Sequence, residues 1–304
     1  MKPRVSVIIP SFESGPLLER AVRSVLAQTV EDFEVIVVDD GSKRPQPEIV
    51  HLDARVRFVA QPNRGVSVAR NVGVLAARAD LVAFLDHDDE WESRKLERQF
   101  ALVESFPDAA LWCTSFWWVR GDDEERSGSD TPTYHGLLSN QMILLSSVLV
   151  RAKDYLELGG QNPVLAQHQD WDMFLRLSMD RPSPAIASEP LVRYYLHDNN
   201  ASRDYRRSAS ERLGILEQHA LRAWARHDRP ALRAIAAGRA RTRELYAFQA
   251  VDAARAAHGR GEWRQTLSHL GFATRMSPGV LARSIRALGS TRLAAVGMSR
   301  RHQG

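Results

Sequence analysis

The sequence predicts an α/β fold, a mostly parallel sheet flanked by helices, followed by an α-helical C-terminal region. Two observations predict it. Over the first 90 residues, short apolar runs alternate with segments of helical spacing, and the runs are continuously apolar, as strands covered on both faces must be. From about residue 205 onward, alanine, arginine and leucine dominate, and several helices are expected.

"RVSVIIP" (4–10) is a β-branched run closed by proline and reads as a buried strand. Pro16 suits a first helical turn, and Leu18, Ala21, Val22, Val25 and Leu26 recur at helical spacing through residue 28. "FEVIVVDDGS" (33–42) is a second strand ending in a turn, and "VRFVAQP" (56–62) a third. Residues 66–79 read as a helix, "DLVAFLD" (80–86) as a fourth strand, and 93–106 as the next helix. "ALWCTSFWWV" (110–119) and "MILLSSVLVR" (142–151) read as further strands, separated by a polar loop, "GDDEERSGSDTPTYHG". "DWDMFLRLS" (170–178) has helical spacing at Trp171, Phe174, Leu175 and Leu177. The C-terminal helices should break near Arg229-Pro230, Gly259–Gly261 and Ser277-Pro278, with a helical hairpin around 231–276. Two domains are therefore expected, 1–204 and 205–304.

At 304 residues the chain can bury a substantial core. No run approaches the ~18 apolar residues that span a bilayer, and the apolar stretch after "MKPR" is too short for a secretory signal. A single cysteine, Cys113, excludes an internal disulfide framework, so a reducing cytoplasm is the expected location. The formal charge of +4 hides an asymmetry: residues 205–304 hold 19 Arg, no Lys and 6 Asp and Glu, a balance of +13. Such a tail suits peripheral contact with anionic lipid at the inner face of a membrane, or is a solvated arginine-rich surface. It carries no zinc-finger or RNP-like motif, so no nucleic-acid partner is expected.

In parallel sheets, ligands bind beyond the carboxyl ends of the strands. "PSFE", "DDGS", "QPNRG" and "DHDDEW" follow the four strands in turn, so they should converge on one acidic edge. Asp86, Asp88 and Asp89, joined by Asp39 and Asp40, repel one another unless a hard cation such as Mg²⁺ or Mn²⁺ sits among them. Two or three carboxylates are too few for a cage, so a ligand's phosphates should complete the shell. Helix capping is the alternative use of Asp89 or Ser93. No G-x-G-x-x-G follows the first strand and no glycine-lysine phosphate loop is present, which disfavours a dinucleotide dehydrogenase.

"VSVIIPSFESGPLLERAVRSVLAQT", "FEVIVVDDGS", "NRGVSVARNVG", "LVAFLDHDDEW" and "QDWDMFLRL" resemble, in order and spacing, the family 2 glycosyltransferases, over roughly residues 4–203. The resemblance implies a Rossmann-like GT-A fold and a metal-dependent, inverting transfer from a nucleoside-diphosphate sugar, of UDP or dTDP type, to a hydroxyl acceptor in surface-glycan synthesis. It implies that Pro10, Ser11 and Glu13 border the nucleotide pocket and that Asp40 accepts a hydrogen bond from the base. Asp86 would lie near ribose and metal, Asp88 would ligate the metal, and His197 would approach it once donor is bound. Asp170 falls where the family places its catalytic base; a helix N-cap is its structural alternative. Arg64 and Arg70 are candidates to meet phosphate, although Arg70 reads equally as a helix-surface ion pair. His87 and Trp171 complete the expected donor-binding set.

Three departures from the family pattern stand out: Glu13 in place of asparagine, Gln169 in place of glutamate, and Tyr195 in place of arginine. The last would weaken diphosphate binding. Trp112, Trp117 and Trp118 read as core before they read as acceptor platforms, and the adjacent pair must face opposite ways on a strand. Two rivals remain: a non-catalytic nucleotide-sugar-binding module, and a sugar-1-phosphate nucleotidylyltransferase, which would need a glycine-rich basic loop where "PSFESGPLL" stands.

Overall fold

A computed structural model describes residues 2–127, 130–196 and 204–284. The chain divides into two units, Met1–Asn200 and Ala201–Gly304.

The first unit opens with β1 (Val5–Ser11), α1 (Pro16–Leu26), β2 (Phe33–Asp39), β3 (Val56–Ala60), α2 (Val66–Ala76) and β4 (Leu81–Phe84). These strands lie parallel in the order β3-β2-β1-β4. Every residue of β1 and β2 is buried, which is why their sequences are apolar without alternation. Pro10 fits inside β1 because its nitrogen faces the β4 side. The carbonyl of Ile8 accepts there from Leu85, and the last β1–β4 pair is Ile8↔Phe84, so no ladder bond is lost. Gly73 lets α2 close on the sheet; a Cβ there would stand 2.3 Å from Ile8 Cγ2.

The rest of the unit is β5 (Glu90–Trp91), α3 (Lys95–Ser105), β6 (Trp112–Arg120), β7 (Asp123–Ser127), α4 (Tyr134–Ser139), β8 (Leu149–Arg151), α5 (Ala152–Glu157), α6 (Gln169–Ser178) and β9 (Ala185–Tyr195). Here the sheet becomes mixed. β8 runs antiparallel to β4 and to β6, β9 parallel to β6, and β5 antiparallel to β9.

Two expectations are corrected. Only Leu149–Arg151 of the "MILLSSVLVR" stretch is strand, because Leu145–Ser147 form a buried 3₁₀ turn in which Ser147 Oγ donates to the Leu144 carbonyl. The polar stretch from 121 to 136 is not one loop: Asp123–Ser127 folds back on β6 as an edge strand of charged residues, and Thr133 Oγ1 caps α4 by accepting from Gly136 N. The core joins the aliphatic residues of β1, β2 and α1 to Phe100 of α3 and Trp112 of β6. Trp118 packs edge-on to Phe116 and Tyr194, as the core reading requires.

The second unit contains α7 (Tyr205–Ala225), α8 (Arg229–Gly259) and α9 (Trp263–Met276), with 278–284 also helical. The breaks fall where the sequence places them. Asp204 accepts from Arg206 N and Arg207 N, Asp228 accepts from Ala231 N, and Pro230 occupies the first turn of α8. Ala247, Ala250, Val251, Ala273 and Val280 pack as a small-residue core, while Leu221, Trp224, Trp263 and Leu267 remain exposed. Among the described residues, no helix is long and apolar enough to cross a membrane.

Candidate active site

A cleft of about 300 Å³ opens at the carboxyl ends of the parallel strands. Pro10, Ser11 and Phe12 line it from the end of β1, Asp40 from β2, Asn63, Gly65 and Val66 from the start of α2, and His87 from the turn after β4. Asp40 is buried and anchors the wall: its Oδ1 accepts from Gln61 Nε2 at 2.7 Å and Arg64 N at 2.8 Å, and its Oδ2 from Gly65 N at 2.8 Å. Arg64 therefore contributes its backbone to this wall. One lone pair of Asp40 Oδ2 is left for a further donor. Gly41, at φ +77°, brings the β2 loop against Asn63 so closely that a Cβ would stand 2.5 Å from its nitrogen.

The sequence brought Phe12, Asn63 and Gly65 to this edge within "PSFE" and "QPNRG" without singling them out, and it missed Val66. The signal for Phe12 was an aromatic directly after a strand-ending Pro-Ser, where it is 47% exposed beside Asp40. Glu13 is not among the cleft-lining residues. At φ +49° it latches two loops together, donating its N–H to Ser42 Oγ and accepting from Lys43 N.

The acidic stretch after β4 is a tight turn, closed by Asp89 N donating to the Asp86 carbonyl at 3.1 Å. Its carboxylates diverge. Asp89 points inward: it is fully buried and takes the Ser146 hydroxyl at 2.5 Å, while the same hydroxyl accepts from Asp86 N. Burial, with Asp86 and Asp88 close by, pushes the Asp89 carboxyl well above the usual carboxylate range. Asp86 stays 29% exposed and pairs with Arg70, whose Nη2 lies 2.5 Å from Oδ1. Arg70 is buried, not on a helix surface, and also donates from Nη1 to Gln161 Oε1 at 3.2 Å. The Asp88 carbonyl accepts from Arg20 Nη2 at 2.7 Å.

Asp170 lies in the first turn of α6, where its Oδ1 accepts from Trp171 N at 2.7 Å. His168, not Asp170, is the N-cap. Burial raises the Asp170 pKa, the Trp171 N–H and Arg70 pull it down, and Asp86 pushes it up. Asp170, Arg70 and Asp86 thus share one electrostatic neighbourhood. Gln169 beside it is buried with its Oε1 unpartnered. Trp171 itself faces the core, donating from Nε1 to the Leu137 carbonyl at 3.1 Å.

The loop ahead of α6 hangs from α2. Asn71 Nδ2 donates to the Gln161 carbonyl, and its Oδ1 accepts from Gln161 N and from the Tyr155 hydroxyl. Tyr195, at the end of β9, donates its phenol to Glu90, and burial pushes that phenol up to about 12. His197 lies outside the described residues.

No cluster of three or more His, Cys, Asp or Glu side chains able to hold a metal occurs among the described residues. Asp86 and Asp88 offer hard oxygen donors but no cage. This set fits a divalent cation only when a diphosphate completes its shell.

Residues 6–152 match the model of glycosyl transferase family 2. Over 210 residues the chain is 31% identical to the putative teichuronic acid biosynthesis glycosyltransferase TuaG of Bacillus subtilis (strain 168), a match covering 66% of this chain and 82% of that one. The chain belongs to glycosyltransferase family 2. For other curated relatives the shared stretch spans 17 to 70% of their length. The fold of this family 2 chain is that of GT-A structures. S. aureus TarS 1–349, solved in complex with UDP-GlcNAc, superposes with a TM-score of 0.60 at 14% identity, over 88% of this chain and 90% of that one. The mannosyltransferase PcManGT from Pyrobaculum calidifontis, solved with GDP-Man and Mn²⁺, gives 0.58 at 17% identity, over 92% and 88%.

Proposed function

We propose that this glycosyltransferase is metal-dependent and inverting, and moves a sugar from a UDP- or dTDP-type donor to a hydroxyl in surface-polysaccharide synthesis. The observation that carries the reading is the shared neighbourhood of Asp86, Arg70 and Asp170 beside the Asp40 cleft. The nucleotide sugars named for the TarS and PcManGT structures, the Mn²⁺ of the latter, and the polysaccharide role in the name of TuaG support it.

The base lies on Phe12 and donates N3–H to the remaining lone pair of Asp40, with Pro10, Ser11, Val66 and His87 closing the cleft. Asp86 and Asp88 would hold Mn²⁺ or Mg²⁺ together with the diphosphate, and His197 is a further candidate ligand. The bound cation supplies Lewis-acid stabilisation of the leaving diphosphate. Arg70 keeps the Asp86 carboxylate oriented and offsets its charge. Asp170 takes the proton of the attacking hydroxyl as that oxygen bonds to the anomeric carbon and the bond to the diphosphate breaks. Its raised pKa makes it a stronger base than an exposed aspartate. Direct displacement of this kind inverts the anomeric centre.

The test is donor turnover by the purified chain across a panel of UDP- and dTDP-sugars with Mn²⁺ or Mg²⁺. Metal-dependent hydrolysis abolished by Asp88→Ala supports the enzyme. Tight nucleotide-sugar binding without any turnover would leave only a binding module.

We also propose that the C-terminal unit touches anionic membrane from the cytoplasmic side, presenting the enzyme to lipid-linked acceptors. The +13 balance of 205–304 and exposed Leu221 and Trp224 favour it. Co-sedimentation with anionic vesicles at low salt, lost on truncation after residue 204, tests this.

A further inference from the structure

We infer that Arg20, Glu90 and Tyr195 form a clamp that sets the posture of the Asp86–Asp89 turn for metal and diphosphate, an inference resting on the donor-site reading above. The three residues come from α1, β5 and the end of β9. The Arg20 guanidinium makes three contacts at once. Its Nη2 donates to the Asp88 carbonyl at 2.7 Å, its Nε lies 3.8 Å from Glu90 Oε2, and its Cζ sits 4.1 Å from the centre of the Tyr195 ring. The Tyr195 phenol donates to the same Glu90 carboxylate. The group that would reach the metal is thus tied, through its own backbone carbonyl, to a closed ring of contacts.

The turn is held from beneath as well. Ser146 donates to Asp89 and accepts from Asp86 N, and the Trp91 indole donates to the Ser146 carbonyl at 2.8 Å. That floor fixes Asp86 and Asp89. The clamp fixes the Asp88 backbone between them. Without it, repulsion from Asp86 would be free to displace Asp88 before any cation arrived. Cation–π stacking and a charge-assisted hydrogen bond on one guanidinium give the carbonyl an anchor that lysine reproduces only in part. Arg20 and Tyr195 are positioning residues: neither is needed as a ligand for this role. Tyr195, one of the three departures from the family pattern, gains a purpose that differs from holding diphosphate.

The experiment titrates UDP into the full chain by calorimetry, once with Mn²⁺ and once with EDTA, and records melting temperature alongside. In Arg20→Met the gain in UDP affinity that Mn²⁺ confers should fall about tenfold, the scale seen when groups orienting a metal ligand are removed. Affinity in EDTA and the melting temperature should match the wild type. Arg20→Lys should restore part of the gain, and Tyr195→Phe, which keeps the ring and removes the hydroxyl, should lose a smaller part. Equal losses with Mn²⁺ and EDTA, or an unchanged gain in Arg20→Met, overturn the clamp. Should Arg20→Met fail to fold, Tyr195→Phe decides alone, and an unchanged gain there overturns it. Asp88→Ala is the reference. A gain that survives Asp88→Ala overturns the donor-site reading, whereas a gain lost in Asp88→Ala but kept in Arg20→Met overturns the clamp alone.

Discussion

Asp40 and Asp86 stand at the ends of strands that flank β1 on either side, yet they are held by different means. Asp40 is fixed by two backbone N–H groups and one side-chain amide, all 21 to 25 residues away. The Asp86–Asp89 turn has its own backbone closure and a Tyr195 backbone N–H on Asp89, but most of its supports are side chains: Arg70 on Asp86, Ser146 on Asp89, Arg20 on the Asp88 carbonyl, and the Tyr195 phenol on Glu90. Backbone donors survive most substitutions of the residues that carry them, whereas a side-chain support is removed by one mutation. The Asp40 wall is therefore robust, and the acidic turn is adjustable residue by residue.

The sharpest way to break this contrast is at Arg70. Arg70→Met leaves Asp86 beside Asp88, Asp89 and Asp170 without its buried cation, and turnover should fall by about 10²-fold, as misplaced catalytic groups do. Arg70 also lowers the Asp170 pKa, so removing it moves the acidic limb of the pH–rate profile to higher pH. A profile unchanged in position would show that Arg70 does not act on the base. The Asp40 wall should yield only to a backbone change. Gly41→Ala places a side chain at φ +77° and 2.5 Å from Asn63 N, costing about 1–3 kcal/mol, to be read as lower melting temperature and weaker UDP binding.

Gln169→Glu sharpens the comparison more gently. A second carboxylate next to Asp170 disfavours its ionised form, and a base must be unprotonated to act, so the acidic limb again moves upward. Pre-steady-state or steady-state rates between pH 5 and 8 would read it; a fixed limb would mean that residue 169 does not face the base. The smallest effect lies outside the site. Lys95 is fully buried, with Nζ 2.6 Å from Gln99 Oε1 and 3.6 Å from the centre of the Trp91 ring, and burial holds its pKa well below the usual lysine value. The unfolded chain then binds more protons than the folded one, so wild-type stability rises with pH towards the ordinary lysine range. Lys95→Met removes this slope. Its melting temperature, relative to wild type, should improve by about 2–4 °C for each kcal/mol as pH is lowered from 10.

The Asp40 wall was legible because its signals are local. Each strand runs continuously apolar into a polar cluster, and topology alone delivers "PSFE", "DDGS" and "QPNRG" to one edge. The acidic turn was legible in its charge but not in its supports. Arg20 meets Tyr195, and Arg70 meets Gln161, across distances in sequence that no periodicity records. Asp89 reads as part of the acidic cluster because a string of acids does not reveal which one turns inward; the buried Ser146 hydroxyl decides that. β7 was hidden for a similar reason. Four of its five residues are charged, and an edge strand of that kind is specified by the Arg120↔Asp123 hairpin rather than by apolar content.

Asn71 offers the Gln161 backbone what a neighbouring strand would, one donor and one acceptor, across 90 residues of chain. Between the two the chain leaves to build β4, the acidic turn, α3 and β6, and then returns to the same point. Lengthening such a span costs only about 0.6 kcal/mol per doubling. The exposed β6–β7 hairpin can therefore lengthen while the acidic turn, α6 and the Asp40 wall keep their mutual spacing, whereas the α4 stretch is held, because its Leu137 carbonyl takes the Trp171 indole.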